Sequence, residues 1–211
     1  MQDYSFKIIL LGNSGVGKTS IYFYYTKNIF QDKYAATVGV DFATDFKNVL
    51  GKNVRLNIWD TAGEEKYRST IANYFKGSHA CFLVFDLTNV NSFKDLEIWY
   101  KLFIESSASN NKENIVVLGN KCDIDEKEVK NELIINFIED KKLKYVETSA
   151  KEGININEAF QYMAEKLVKQ HENDEQNNII NKNNNNQVII NENNNNNNNS
   201  VQENRKNIKC C

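Results

Sequence analysis

The chain has 211 residues, of which 41% are hydrophobic and 26% are charged, a composition typical of globular proteins. The formal net charge of -2 supplies no basic field, which argues against nucleic acid as a partner. No apolar run approaches the roughly 20 residues that a membrane-spanning helix needs, and residues 1–5 lack the pattern of a secretory signal.

Short apolar runs alternate with amphipathic segments up to about residue 171. The runs 6–11, 81–85 and 115–118 predict buried strands, and the two-residue period of 54–59 predicts a strand with one wetter face. Helices are predicted over 92–105, over 128–139, where Val129, Leu133 and Phe137 recur, and after Ile156. This order predicts an α/β fold, with a six-stranded, mostly parallel sheet and about five helices on both faces. A turn at Gly51 indicates one antiparallel strand.

The composition changes abruptly after His171, because residues 172–209 are dominated by Asn. Such a segment cannot bury enough apolar surface to offset the entropy of ordering its backbone. We therefore predict a globular domain over 1–171 and a disordered, flexible tether over 172–209. The alternative is an Asn-rich segment that is prone to aggregation.

Residues 12–19 fit the pattern GxxxxGK[ST] and follow an apolar strand directly. Glycines let successive backbone N–H groups point at phosphate oxygens, and the helix that starts near Lys18 adds the positive end of its dipole. Lys18 would contact the β and γ phosphates, and the Thr19 hydroxyl would coordinate Mg²⁺. The predicted phosphate-binding residues are Gly12, Asn13, Ser14, Gly15, Val16, Gly17, Lys18, Thr19 and Ser20.

The loop by itself indicates a nucleoside triphosphate and leaves an ATP-dependent kinase and a GTPase open; three later segments favour guanine. The carboxylate of Asp123 can accept hydrogen bonds from the N1 and N2 donors of guanine, which adenine lacks. The Ala150 N–H can meet guanine O6, whereas Asp60 can hold a Mg²⁺-bound water and the Gly63 N–H can hold the γ-phosphate. The predicted guanine-binding residues in these segments are Asn120, Lys121, Asp123, Ser149, Ala150 and Lys151.

With these segments the sequence resembles a Ras-superfamily small GTPase, and its motifs are closest to the Rab family. The resemblance runs from about Phe6 to Lys169 and includes the Rab-type stretches 38–42, 66–69 and 83–88. It implies the small G domain variant of the P-loop NTPase fold, with Mg²⁺ as cofactor and GTP and GDP as substrate and product. It implies that Thr37 coordinates Mg²⁺ and the γ-phosphate, that Phe30 lies against the guanine ring, and that Tyr34 lies near the phosphates.

The resemblance also implies a switch that partners detect. With GTP bound, the γ-phosphate and Mg²⁺ tether two segments through Thr37 and Gly63, and hydrolysis releases both segments. Effectors would recognise the ordered form through Val38, Gly39, Val40, Asp41 and Phe42 and through the aromatic residues Phe42, Trp59 and Tyr74. For the aromatic residues, packing in the core is an equally good interpretation.

The family places Gln after Asp-Thr-Ala-Gly to orient the attacking water, but this chain has Glu64 there. A carboxylate can accept a hydrogen bond from water, but it cannot donate one to the developing charge, and it adds a negative group beside the phosphate. We hypothesise altered hydrolysis without assigning its direction. The predicted catalytic residues are Lys18, Thr37, Gly63 and Glu64.

The chain ends in Cys210 and Cys211, which resemble the paired cysteines of Rab proteins that receive two geranylgeranyl groups. Two lipid chains are what stable anchoring requires. The resemblance implies an escort protein for prenylation, an exchange factor, a GTPase-activating protein and a GDP-dissociation inhibitor as further partners. It also implies a lipid-anchored position on the cytoplasmic face of an intracellular or plasma membrane, with a soluble cytosolic pool, and a role in vesicle traffic.

Two other functions remain as alternatives. An ATP-dependent kinase would share the phosphate loop, but residues 120–123 argue against it. A GTP-loaded scaffold that hydrolyses negligibly and acts only by binding effectors is kept open by Glu64.

Overall fold

The computed structural model describes residues 4–31, 37–63, 74–106 and 111–177. The chain divides into a first unit, residues 1–168, and a second unit, residues 169–211. In the second unit, residues 169–177 are helical, including 172–177 at the start of the predicted tether. The rest of that tether and the two terminal cysteines lie outside the described residues, so their predicted properties stay predictions.

Six strands of the described residues form one sheet in the first unit: β1 Tyr4–Leu11, β2 Val40–Val49, β3 Lys52–Thr61, β4 Ala80–Asp86, β5 Ile115–Asn120 and β6 Lys144–Glu147. Their order in the sheet is β2-β3-β1-β4-β5-β6. Among these six strands, β2 and β3 pair antiparallel and all other neighbours are parallel. The predicted α/β sheet with one antiparallel strand is therefore confirmed.

Helices cover both faces of the sheet, because successive side chains of the central strands point to opposite sides. Ile8 and Leu10 of β1 belong to one buried cluster, and Ile9 and Leu11 belong to the other. The helices of the first unit are α1 Lys18–Lys27, α2 Val90–Lys94, α3 Leu96–Ser106, α4 Asn131–Lys141 and α5 over 156–168, with a 3₁₀ turn at Asn111–Asn114. Residues of α1 and α5 pack in the first cluster, and residues of α3 and α4 pack in the second.

Two helix predictions were wrong in detail. The segment 92–105 is divided at Asp95 into α2 and α3. The helix predicted over 128–139 begins only at Asn131, because the N–H groups of Glu128 and Val129 both donate to Leu87 O and hold this link outside the helix. Leu133 is consequently 43% exposed, and Ile134 takes the buried position.

No helix in the described part of the chain is long and apolar enough to cross a membrane. The carboxyl ends of the parallel strands β1, β3, β5 and β6 meet at one edge of the sheet, where ligands bind in folds of this kind. The predicted motifs begin at this edge, since residues 12, 60, 120 and 148 stand at or just after those strand ends.

Candidate functional site

The phosphate loop follows β1 in a conformation that requires glycine at two positions. Gly12 has a φ of 147°, and a Cβ there would lie 2.1 Å from Val84 O. Gly17 has a φ of 96°, and a Cβ there would lie 2.2 Å from the side-chain nitrogen of Asn120. These close approaches hold the loop against β4 and β5. Gly17 also precedes α1, whose first turn contains no acidic residue, so the positive end of the helix dipole faces the loop unneutralised.

The side chain of Lys18 lies underneath the loop and is only 4% exposed. Its Nζ donates hydrogen bonds of 2.8 Å to the backbone oxygens of Gly12 and of Asn13. Burial lowers the pKa of Lys18 to about 8, although the negative charge of Asp60 acts in the opposite direction. An ammonium held by neutral carbonyls in a buried place would gain strongly from the oxygen of a phosphate.

Three side-chain oxygens converge beside Lys18. The Thr19 hydroxyl donates to Asp60 Oδ2 at 2.7 Å, so its lone pair accepts the hydrogen of the Thr37 hydroxyl, which is also 2.7 Å away. Asp60 Oδ1 is buried and makes no hydrogen bond. Burial raises the pKa of Asp60 to about 6, against the opposing hydrogen bond from Thr19 and the charge of Lys18.

This cluster fits Mg²⁺, which prefers oxygen ligands and is usually bound by one or two carboxylates together with substrate phosphates. The unbonded Asp60 Oδ1 is the kind of buried polar atom that a metal-bound water would satisfy. Among the described residues no group of three or more His, Cys, Asp or Glu side chains could hold a metal ion. The candidate metal centre therefore depends on the hydroxyls of Thr19 and Thr37 as well as on one carboxylate.

Asn120, which is 2% exposed, connects the phosphate loop to the segment after β6. Its amide nitrogen donates to Val16 O at 2.8 Å, and its Oδ1 accepts from Ala150 N at 3.2 Å and from Thr148 Oγ1 at 3.4 Å. The Ala150 N–H, predicted to meet guanine O6, thus already has a partner in the structure. One side chain, that of Asn120, therefore holds both the phosphate loop and the segment after β6 in place.

Two further bonds orient the predicted guanine-binding residues. Ser149 Oγ donates to Asp123 Oδ1 at 2.6 Å, which fixes that carboxylate at the wall of the cavity. Lys121 adopts a φ of 65°, and its ammonium lies 2.5 Å from Asp86 Oδ2. A carboxylate held this way can present its second oxygen to the N–H donors of a guanine ring.

These residues enclose one cavity of about 460 Å³, large enough for a nucleotide-sized ligand. It brings together phosphate-loop residues, the Thr37 and Gly63 pair and the guanine segments, which are distant in sequence. Gln31 and Ile124 also line it; they were missed, although each neighbours a predicted residue or segment. The predicted residues among its lining are Ser14, Gly15, Gly17, Lys18, Thr19, Ser20, Phe30, Thr37, Gly63, Asn120, Lys121, Asp123, Ala150 and Lys151.

Other predicted residues do not line the cavity. Gly12, Val16, Asp60 and Ser149 are buried behind its wall. The Asn13 side chain points away to α3, although its backbone oxygen accepts from Lys18. The catalytic prediction for Glu64, the placement of Tyr34, the stretch 66–69 and the lipidation of Cys210 and Cys211 all fall outside the described residues.

The three aromatic residues predicted to meet effectors form one surface cluster next to β2 and β3. The Trp59 ring lies between Phe42 and Tyr74, at centroid distances of 5.4 and 5.8 Å. Phe42 is 55% exposed and Tyr74 is 39% exposed, while Trp59 is half-buried against the core. Lys7 Nζ lies over the Trp59 ring, 4.4 Å from its centroid. The neighbouring Val38 is 80% exposed. Two of these rings are thus free to contact a partner.

Comparison with known proteins identifies the relatives of this chain. A family model described as "Ras family" matches residues 7–169. The Ras-related protein Rab-8 of Diplobatis ommata is 40% identical over 167 residues, which is 79% of each chain. The Ypt/Rab-type GTPase Rab7 of Gibberella zeae is 39% identical over 174 residues, covering 80% of this chain and 85% of the relative. The Ras-related protein Rab-8A of Bos taurus is 39% identical over 166 residues, covering 78% and 79%.

The matched region contains the whole cavity, from the phosphate loop to Lys151. The sheet order, the loop geometry and the composition of the cavity agree with that match. The chain belongs to the Ras family and is a Rab-type small GTPase, an enzyme of the class that hydrolyses GTP to GDP.

Proposed function

We propose that this protein is a membrane-anchored switch of intracellular vesicle traffic, which binds effectors when GTP occupies the cavity and releases them after hydrolysis. The observation that carries the proposal is that one cavity is lined by the phosphate loop, by Thr19 and Thr37, and by Asp123. The two threonine hydroxyls are hydrogen-bonded to each other, and Thr19 also donates to Asp60 behind the cavity wall. The Rab names of the relatives support the trafficking role.

In this proposal each group at the phosphate end has one task. Lys18 turns from the Gly12 and Asn13 carbonyls to the β and γ phosphates, and the N–H groups at the start of α1 bind the phosphate oxygens. Mg²⁺, held by the hydroxyls of Thr19 and Thr37 and through water by Asp60, would neutralise charge on the phosphates. Because Thr37 and Gly63 both line the cavity and would both hold the γ-phosphate, its loss would release the segments on which they lie.

At the base end, Asp123 accepts the N1 and N2 donors of guanine, Phe30 and Lys121 lie beside the ring, and Ala150 and Lys151 close the wall. Competition of GDP, GTP and ATP for fluorescent GDP tests this step. GDP and GTP should displace the probe with far lower concentrations than ATP, because adenine leaves the carboxylate unpaired. Equal displacement by ATP would refute the guanine site.

For Glu64 we propose that the chain hydrolyses GTP at a rate different from that of its Glu64→Gln variant, because a carboxylate cannot donate a hydrogen bond to the transition state. Single-turnover hydrolysis of both proteins, with and without a GTPase-activating protein, measures this. Equal rates in both conditions would sink the idea. Glu64 also keeps open a second candidate function, a GTP-loaded scaffold that hydrolyses negligibly. Nucleotide extracted from freshly purified protein would be mostly GTP for a scaffold and mostly GDP for a cycling switch.

Membrane anchoring is proposed to depend on geranylgeranyl groups on Cys210 and Cys211, at the end of the Asn-rich segment. The full chain and a variant with both cysteines replaced by Ser should be expressed with a fluorescent tag. We expect the full chain on an internal or plasma membrane with a cytosolic pool, and the variant in the cytosol alone. Equal distribution of the two proteins would refute the anchor.

A further inference from the structure

The side chain of Asn13 makes two hydrogen bonds that leave the nucleotide cavity and reach α3. Its Nδ2 donates to Asp95 Oδ2 at 2.7 Å, and its Oδ1 accepts from the indole Nε1 of Trp99 at 2.7 Å. Trp99 is fully buried, so its N–H has no access to bulk water. Both bonds join residues more than 80 positions apart in sequence. They connect the phosphate loop to the start of α3 on the second face of the sheet.

The chemistry of these two contacts selects an amide. Asn has a donor and an acceptor at the end of one short side chain, so it can serve the carboxylate and the indole simultaneously. A carboxylate at position 13 would accept from Trp99 but would face Asp95 with a second negative charge. A hydrogen bond from an amide to an ionised carboxylate is also stronger than one between neutral groups.

The peptide that carries this side chain is itself part of the site. The backbone oxygen of Asn13 accepts a hydrogen bond from Lys18 Nζ at 2.8 Å. Gly63 packs directly on the same peptide, since a Cβ at Gly63 would lie 2.3 Å from the Asn13 carbonyl carbon and 2.4 Å from Ser14 N. A shift of this peptide would therefore move the loop, the lysine and the contact surface of Gly63 together.

We propose that Asn13 is a positioning residue, which acts through its bonds to Asp95 and Trp99 to hold the phosphate loop in the geometry that retains nucleotide. The inference rests on the proposed occupation of the cavity by GDP and GTP. It assigns to α3, which contributes no residue to the cavity lining, an influence on how long the nucleotide stays bound.

The test exchanges the two partners. Release of a fluorescent GDP analogue is measured from the Mg²⁺-loaded full chain, for the wild type, Asn13→Asp, Asp95→Asn and the double variant. Asn13→Asp should release GDP about tenfold faster, which equals about 1.4 kcal/mol and is the order of one charge-assisted hydrogen bond. The double variant restores the bond with its polarity reversed, so its release rate should return to within about twofold of the wild type.

Glu97→Gln is the matched control, because Glu97 lies on the same helix and its charged bonds go to Lys101 and Lys141, away from the loop. Its release rate should equal that of the wild type. Melting temperatures are measured in parallel. If Asn13→Asp does not fold, Asn13→Ala removes the amide without adding charge and should still accelerate release severalfold.

The outcomes separate the inference from the proposed function. A wild type that binds no GDP would refute both. A wild type that binds GDP, with Asn13→Asp or Asn13→Ala releasing it at the wild-type rate, would refute only the positioning role. Melting temperatures that fall and recover while release stays constant would also refute it, because the link would then be purely structural. Faster release that the double variant fails to restore would refute the assigned pairing with Asp95.

Discussion

The Asn120 side chain hydrogen-bonds both to the phosphate loop and to the segment after β6, so its replacement tests how these two parts of the site are joined. Replacement by Ala removes the donor to Val16 O and the acceptor for Ala150 N–H, and both of these partners are buried. Each buried group left without a partner costs about 1–3 kcal/mol, so the free energy of unfolding should fall by about 2–5 kcal/mol. For a domain of this size that corresponds to a fall in melting temperature of roughly 5–15 °C.

The assay is thermal and urea unfolding of the GDP-loaded protein, followed by circular dichroism. The GDP dissociation constant of each variant is measured as well, because bound ligand adds its own stabilisation, and this contribution is subtracted. Thr148→Val is the comparison, since it removes only the 3.4 Å bond to the same Asn120 oxygen. It should cost about 0.5–1 kcal/mol.

The reasoning is refuted if Asn120→Ala costs no more than Thr148→Val after that correction. Such a result would mean that Val16 and Ala150 find other partners, and that the loop and the base segment are held together by packing alone. A full cost with an unchanged GDP dissociation constant would locate the role of Asn120 in the fold and not in binding.

Three further predictions concern single positions. Gly12→Ala should fail to give folded protein, because the new Cβ would lie 2.1 Å from a backbone oxygen. In Gly51→Ala the new Cβ meets nothing within 4 Å, so this control should lose only about 1 kcal/mol of stability for its positive φ. Soluble yield and melting temperature compare the two variants, and equal behaviour would contradict the steric argument. Thr19→Val should weaken Mg²⁺ affinity at least about tenfold, which a Mg²⁺ titration measures. A chelator should also accelerate GDP release less in this variant than in the wild type. Unchanged values of both quantities would show that Thr19 does not bind the metal. Burial is the largest cause that raises the pKa of Tyr25, and the hydrogen bond to Asp45 is the next. The folded chain therefore keeps a proton that the unfolded chain releases above pH 10, so the free energy of unfolding falls as pH rises above 10. Tyr25→Phe should show a shallower fall over this range, and parallel falls in the two proteins would contradict the assignment.

The sheet and the location of the site could be predicted from the sequence because both depend on local chemistry. Buried parallel strands need nearly continuous apolar runs, and such runs end abruptly at residues 11 and 118. The carboxyl ends of parallel strands lie at one edge, so motifs that follow strands must meet there. The glycine spacing of the phosphate loop carries its own conformational requirement.

The phase of α4 could not be predicted in the same way. Val129, Leu133 and Phe137 have a helical spacing, yet only Val129 and Phe137 contact the core, because the backbone bonds to Leu87 O delay the start of the helix. The break at Asp95 is likewise not marked by any Gly or Pro in the segment, and the Asp95 side chain there accepts a hydrogen bond from Asn13, 82 positions away. Periodicity identifies an amphipathic segment, but docking selects which side is buried.

The sequence by itself predicted the class of ligand, since a phosphate loop, an Asp at the base end and hydroxyl residues of the kind that Mg²⁺ binds are properties of residue type and spacing. The tertiary structure alone decided how those residues are supported. Asn120 spans 104 positions to reach Val16, and Asn13 spans 86 to reach Trp99. Hydrogen bonds over such separations depend on strand order and helix packing, which no local pattern encodes, and they turn separate motifs into one site.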